Sequence, residues 1–119
     1  MKFKADTSNI MKGLNAIDPV AVDAVIKLNM TEIYNRGKQG RPWTPVRTGE
    51  LRQSLGLVTE AHGYAVGYTK EYAPAVEYGH RTRGGGWVNG QHYLQSNVNA
   101  QRPRLERDIA KLVAEWGRS

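Results

Sequence analysis

The chain has 119 residues, 39% of them apolar and 24% charged, with 17 Lys and Arg against 11 Asp and Glu and no cysteine. That length holds one domain, and the lack of cysteine excludes disulfide staples, thiol catalysis and cysteine metal sites. No apolar run approaches the ~18 residues of a membrane span, and Met1 to Asp6 carries no apolar leader core, so no membrane partner and no signal peptide are expected and folding should occur in a cytoplasm.

The net charge of +6 is spread evenly, with nine basic and six acidic residues in 1–60 and eight and five in 61–119. No tail concentrates the excess, which argues against a basic arm for nucleic acid and for a mildly basic face that meets an acidic partner.

In chain order, residues 1–17 read as a short, frayed helix. Ile10, Met11, Leu14 and Ile17 fall at helical spacing, Gly13 interrupts them, and Thr7 or Ser8 offers a cap. A stronger helix starts after Asp18, an N-cap, with Pro19 at its first position and Val22, Val25, Ile26, Met30 and Ile33 as one stripe. Gly37 should stop it, after Arg36 in the last turn. Lys38 to Pro45, with two prolines and Gly40, is a loop.

Thr48 can cap a helical turn or two over Thr48–Ser54, with Glu50 near the positive end and Leu51 and Leu55 four apart. Leu55–Glu60 and Tyr64–Thr69 are strand-like and joined by Ala61-His62-Gly63, the length of a hairpin loop. Tyr72 to Tyr78, interrupted by Pro74, fits either an edge-like strand or a helical turn. Residues 79–90 hold five glycines in twelve positions and read as a flexible excursion. Leu105, Ile109, Leu112, Val113 and Trp116 then mark a closing helix, with Pro103 near its start and Gly117 past its end; Tyr93, Leu94 and Val98 either extend it backwards or form a separate turn. The expected fold is α+β in a single domain: a long N-terminal helix, a small antiparallel sheet with a long Gly-rich loop, and a C-terminal helix packed on the sheet.

Chemistry is sparse. His62, His80 and His92 form no i, i+4 pair, so a zinc site has no support. The serines lack a nucleophile-elbow context, and Gly84-Gly85-Gly86 lacks the Lys-Ser/Thr of a phosphate loop. No cofactor, metal or catalytic residue is expected. Arg81, Arg83 and Trp87 suit either a polyanion or an intersubunit contact, because arginine and tryptophan serve both; the interface reading is preferred. Tyr64, Tyr68, Tyr72 and Tyr78 could offer a stacking surface, but the alternate spacing of the first two puts them on one face of a strand and fits ordinary core or interface packing. Two other functions stay open. One is a small basic ribonuclease of the toxin type using His80, Arg81, Arg83 and Tyr93. The other is a DNA-binding module indifferent to sequence.

Two segments carry a resemblance. Thr44-Pro45-Val46-Arg47-Thr48-Gly49-Glu50-Leu51-Arg52-Gln53-Ser54 resembles the T-P-V-D-T-G-x-L-R-x-S pattern of a tailed-bacteriophage family of head–tail joining and tail-completion proteins. Tyr72-Ala73-Pro74-Ala75-Val76-Glu77-Tyr78-Gly79-His80-Arg81-Thr82-Arg83-Gly84-Gly85 resembles its Y-A-P-x-V-E-Y-G-H-R-T-R-G-G stretch, and Gln91-His92-Tyr93-Leu94 is similar to a later G-x-H/F-x-L element. Arg47 stands where the family usually has Asp, the first seventeen residues match nothing specific, and Arg102-Pro103-Arg104 is individual to this chain.

The resemblance implies a structural virion protein and not an enzyme. Such a subunit forms a ring with copies of itself, for instance a hexamer, at the head–tail neck or the head-proximal end of the tail. Its partners would be connector or stopper proteins of the head and tail-tube or tail-terminator proteins, and DNA would pass through the lumen without sequence readout. It would reside in the host cytoplasm during assembly and then in the virion. Tyr72, Tyr78, His80, Arg81, Arg83 and Trp87 become the candidate assembly interface. Pro45, Thr48, Gly49, Leu51 and Arg52 form a structural motif, in which a fixed turn, a cap and a conformationally tolerant glycine explain themselves as backbone punctuation.

Overall fold

The computed structural model describes residues 1–6, 18–39, 43–44, 49–61 and 63–117. It is an α+β fold built on a three-stranded antiparallel sheet of order β1-β3-β2, with β1 at Lys2–Asp6, β2 at Leu55–Glu60 and β3 at Gly63–Tyr68. The first of these corrects an expectation, since residues 2–6 form a strand and not part of a helix. Lys2, Phe3, Lys4 and Ala5 alternate with period two, and Phe3 pairs with Val66, which pairs in turn with Leu57. The helix-spaced Ile10, Met11, Leu14 and Ile17, with their caps, lie outside the described residues.

The register sorts the side chains. Phe3, Ala5, Tyr64, Val66, Tyr68, Leu55 and Leu57 share the inner face, while Lys2, Lys4, Ala65, Gly67, Gly56 and Val58 share the outer one. On that outer face β3 presents only Gly63, Ala65 and Gly67. The Lys2 and Lys4 ammonium groups therefore reach across it to the Glu60 carboxylate, at 3.1 and 3.6 Å. Ala65, paired with Lys4 on one side and Val58 on the other, is only 1% exposed on this face. The hydrogen bond from Lys2 holds the Glu60 carboxyl below its ordinary range.

Helix α1, Pro19–Lys38, packs on the inner face. Asp18 caps it, its side chain accepting from the Val20 N–H at 3.0 Å, and Pro19 occupies the first turn. Val22, Ile26, Met30 and Ile33 are buried as expected, but the stripe also contains Asn29 and Gly37. Gly37 does not end the helix. It lies in the last turn, where a β-carbon would sit 2.5 Å from Leu55 Cδ2 and 3.2 Å from the Tyr68 hydroxyl. Its smallness lets helix and sheet approach.

Two short helices, α2 at Glu50–Gln53 and α3 at Ala73–Tyr78, flank the β2–β3 hairpin. The second settles the open choice at 72–78 as a helical turn, with Pro74 in the first turn where its missing N–H is tolerated. Helix α4, Tyr93–Gly117, starts ten residues before Pro103, so that proline is interior and not near the start. Pro103 sits on the exposed side, and the packing of Tyr93, Leu94 and Val98 into the core outweighs the lost backbone bond. Leu105 and Leu112 rest against the same core, and Val113 is exposed.

Helix α4 runs against α1 and reaches the sheet through Tyr93, whose ring meets Tyr68 edge-on at 4.9 Å and 84°. A buried polar network ties the two helices. Gln101 Nε2 donates to Asn29 Oδ1 at 2.6 Å and to Glu32 Oε2 at 2.7 Å, while its oxygen accepts from Arg36 at 2.9 Å. Arg36 also donates to Asn97 Oδ1, and Asn97 Nδ2 donates to the Ile33 carbonyl. The molecule is elongated, 62 × 25 × 23 Å.

Candidate assembly interface

The sequence block around residues 49–52 and the block at 72–85 meet in space. Gly49, Glu50 and Leu51 from the first, and Tyr72, Ala75, Val76 and His80 from the second, line a cleft of about 820 Å³ completed by Val88, Asn89 and Gln91. Leu51 is buried at its floor. Gly49 occupies the cap position of α2 with φ 82°, a left-handed conformation that glycine adopts without strain. The cap of this turn is thus Gly49, with no side-chain hydrogen bond, in place of the expected Thr48. Thr48 and Pro45 themselves lie outside the described residues. Glu50 forms an ion pair with Lys70 at 3.3 Å on the rim.

Thr44, the first residue of that block, is fully buried, and its hydroxyl meets the Tyr68 hydroxyl at 2.5 Å. The Tyr64 hydroxyl donates to Asp23 at 2.7 Å. Both Tyr64 and Tyr68 are therefore core residues, as their spacing suggested, and neither presents a ring to a ligand. That hydrogen bond raises the Tyr64 phenol above its ordinary range, and burial does the same for Tyr68 and Tyr93.

The glycine-rich stretch read as an excursion carries a hairpin. Strand β4, Gly79–Arg81, pairs antiparallel with β5, Trp87–Asn89. His80 lies opposite Val88, and both line the cleft. Arg81 lies opposite Trp87 on the other face. Gly79 has φ 93°, and a β-carbon there would sit 2.8 Å from the Trp87 ring. The tip is closed by Thr82, whose N–H donates to the Gly86 carbonyl at 2.9 Å and whose hydroxyl accepts from the Gly86 N–H at 3.0 Å.

Tyr72, Tyr78 and Trp87 are 41%, 63% and 59% exposed, and His80, Arg81 and Arg83 are exposed beside them. Arg52 is half-buried at the end of α2, where its carbonyl accepts from the Lys38 ammonium at 3.0 Å. Tyr93, one of four residues weighed for a nuclease, is buried and donates its hydroxyl to the Ala73 carbonyl at 2.9 Å. His80, Arg81 and Arg83 share the hairpin, and the phenol of Tyr93 is not exposed with them.

Glu77 is the residue that sequence reasoning missed. It is 2% exposed, and its two carboxylate oxygens accept from the Leu94 and Gln95 N–H groups at 2.8 and 3.1 Å. It thus caps α4 from another helix, where an anion also opposes the helix dipole favourably. The main chain adds two bonds, Gln91 N–H to the Val76 carbonyl at 2.8 Å and His92 N–H to the Glu77 carbonyl at 3.0 Å. Together they clamp the chain before the hairpin to the chain after it. The only hint in the sequence was an acid in an otherwise apolar run from Tyr72 to Tyr78.

Among the described residues, no group of three or more His, Cys, Asp or Glu is gathered as a metal site would require, and no helix is long and apolar enough to cross a membrane. No protein-family model, curated protein or solved structure matches the chain.

Proposed function

We propose that the protein is a structural subunit of a tailed phage or prophage virion, forming a ring at the head–tail neck or the head-proximal tail end and joining or completing the tail. The observation that carries the reading is the meeting of both family-like blocks at one cleft, beside a clamped hairpin that presents Tyr78, Arg81, Arg83 and Trp87. Aromatic and arginine side chains displayed on an ordered scaffold are what anchors of a protein interface require. Connector or stopper proteins on the head side and tube or terminator proteins on the tail side are the proposed partners, with DNA passing through the lumen unread.

The test is deletion of the gene in a strain that produces the tailed particles. Electron micrographs should show filled heads and separate tails, rescued by the wild-type gene and not by Arg81→Ala with Arg83→Ala. Normal joined particles from the deletion strain would overturn the proposal.

A further inference from the structure

We infer that the Arg81, Arg83 and Trp87 face of the hairpin docks on a protein surface that presents carboxylates around an apolar seat for the indole. The inference rests on the assembly reading and specifies its partner. From Tyr78 to Leu105 the chain has no Asp or Glu, and from Glu71 to Ala110 it has no Lys; every permanent cation there is an arginine. Protein interfaces enrich arginine and tryptophan and deplete lysine, whereas surfaces that hold nucleic acid phosphates draw on lysine as well as arginine.

The arginines are available. Both are exposed, and among the described residues neither has an ion pair or a side-chain hydrogen bond. Arg81 stands directly across from Trp87, and Arg83 follows on the turn that Thr82 closes. Arg81 therefore shares a hairpin face with the indole on a scaffold whose register is fixed, and bidentate carboxylate recognition gains specificity from such fixed geometry. Trp87, 59% exposed, is the apolar element that such a surface must seat.

The partner is thus acidic and partly apolar, and the contact is a ridge entering a seat. Charge complementarity should govern both its approach rate and its rejection of basic surfaces.

The full chain, fluorescently labelled, would be applied to an array of randomised 12-residue peptides at physiological salt. Retained peptides should carry two or more Asp or Glu around an aromatic or branched aliphatic residue. Arg81→Glu with Arg83→Glu, and separately Trp87→Ala, should each weaken retention by about tenfold or more with an unchanged melting curve. A blank array, selection indifferent to acidic residues, or retention unaffected by Trp87→Ala would overturn the inference. So would tighter retention of a 30-base-pair duplex through the same residues, or self-association of the wild type abolished by the arginine changes, which would make a second copy the occupant. Particle joining in the deletion strain reads the whole subunit, so failure of the peptide selection leaves the ring proposal standing.

Discussion

Replacing Glu77 separates its role as a clamp from that of ordinary packing. In Glu77→Ala the Leu94 and Gln95 N–H groups lose their acceptors at a buried helix start. Loss of an N-terminal cap costs about 0.5–2 kcal/mol, and removing an anion from the positive end of a helix costs about 0.3–2 kcal/mol more. The expected destabilisation is roughly 2–3 kcal/mol, a melting point lower by about 8–12 °C for a domain of this size. Glu77→Gln keeps one carbonyl oxygen and should lose only about 1–2 kcal/mol, because one N–H stays bonded and the charge is gone. Urea unfolding monitored by circular dichroism gives the free energies, with an unchanged slope required for the comparison. Hydrogen exchange then locates the effect. The amides of Leu94 and Gln95 and those pairing β4 with β5 should exchange faster in both variants under native conditions, beyond the acceleration seen at Ile26 and Met30. An alanine variant within about 0.5 kcal/mol of wild type, or acceleration spread uniformly over the chain, would refute the clamp.

The interhelical network should behave as a unit. Gln101→Leu leaves the buried Asn29 carbonyl oxygen without its donor and should cost about 2 kcal/mol, part of it recovered when Asn29→Leu is added; additive losses in a thermal-melt cycle would count against coupling. At high pH the tyrosines decide stability. Tyr64, Tyr68 and Tyr93 have phenols raised above the ordinary value near 10. The folded chain holds these protons where the unfolded chain has released them, so stability is intact below that value and falls as pH climbs above it. Tyrosinate absorbance from these three rings should appear together with loss of the helical signal. Reversible titration of all six tyrosines in a folded chain would contradict this.

Where a local pattern and tertiary packing agreed, the sequence could be read directly. Asp18-Pro19 marks the start of α1, and strand-like runs on either side of Ala61-His62-Gly63 mark the β2–β3 hairpin, with Gly63 itself the first residue of β3. The misreadings share a cause. Residues 1–17 read as helix from the spacing of Ile10, Met11, Leu14 and Ile17 alone, because the partner that makes Lys2–Asp6 a strand, β3, lies some sixty residues away. Gly37 and Pro103 carry the local signature of helix ends, and tertiary contacts override both.

The hairpin at 79–90 is another nonlocal case. Its three-residue strands depend on bonds from Val76 and Glu77 that composition does not reveal. Arg81, Arg83 and Trp87 could be singled out as interface-type residues beside glycines, and the resemblance added Tyr72, Tyr78 and His80 to the candidate interface. The buried carboxylate that fixes their base was not legible, since an isolated Glu looks the same whether it faces solvent or caps a helix.

The pairing of β1 with β3 also orders events as the chain folds. The β2–β3 hairpin is local and can form early, whereas β1 must close a loop from Lys2 to Gly67 around the whole of α1 before it gains a bond. Until then one edge of β3, from Gly63 to Tyr68, stands open, its backbone donors and acceptors bonded only to water. During synthesis β1 emerges first and has no partner until Tyr68 leaves the ribosome. In a crowded refolding mixture the first strand of a neighbouring copy competes for the same edge. Strand exchange between copies is therefore the characteristic misfolding route of this topology, and dilution during refolding is its natural remedy.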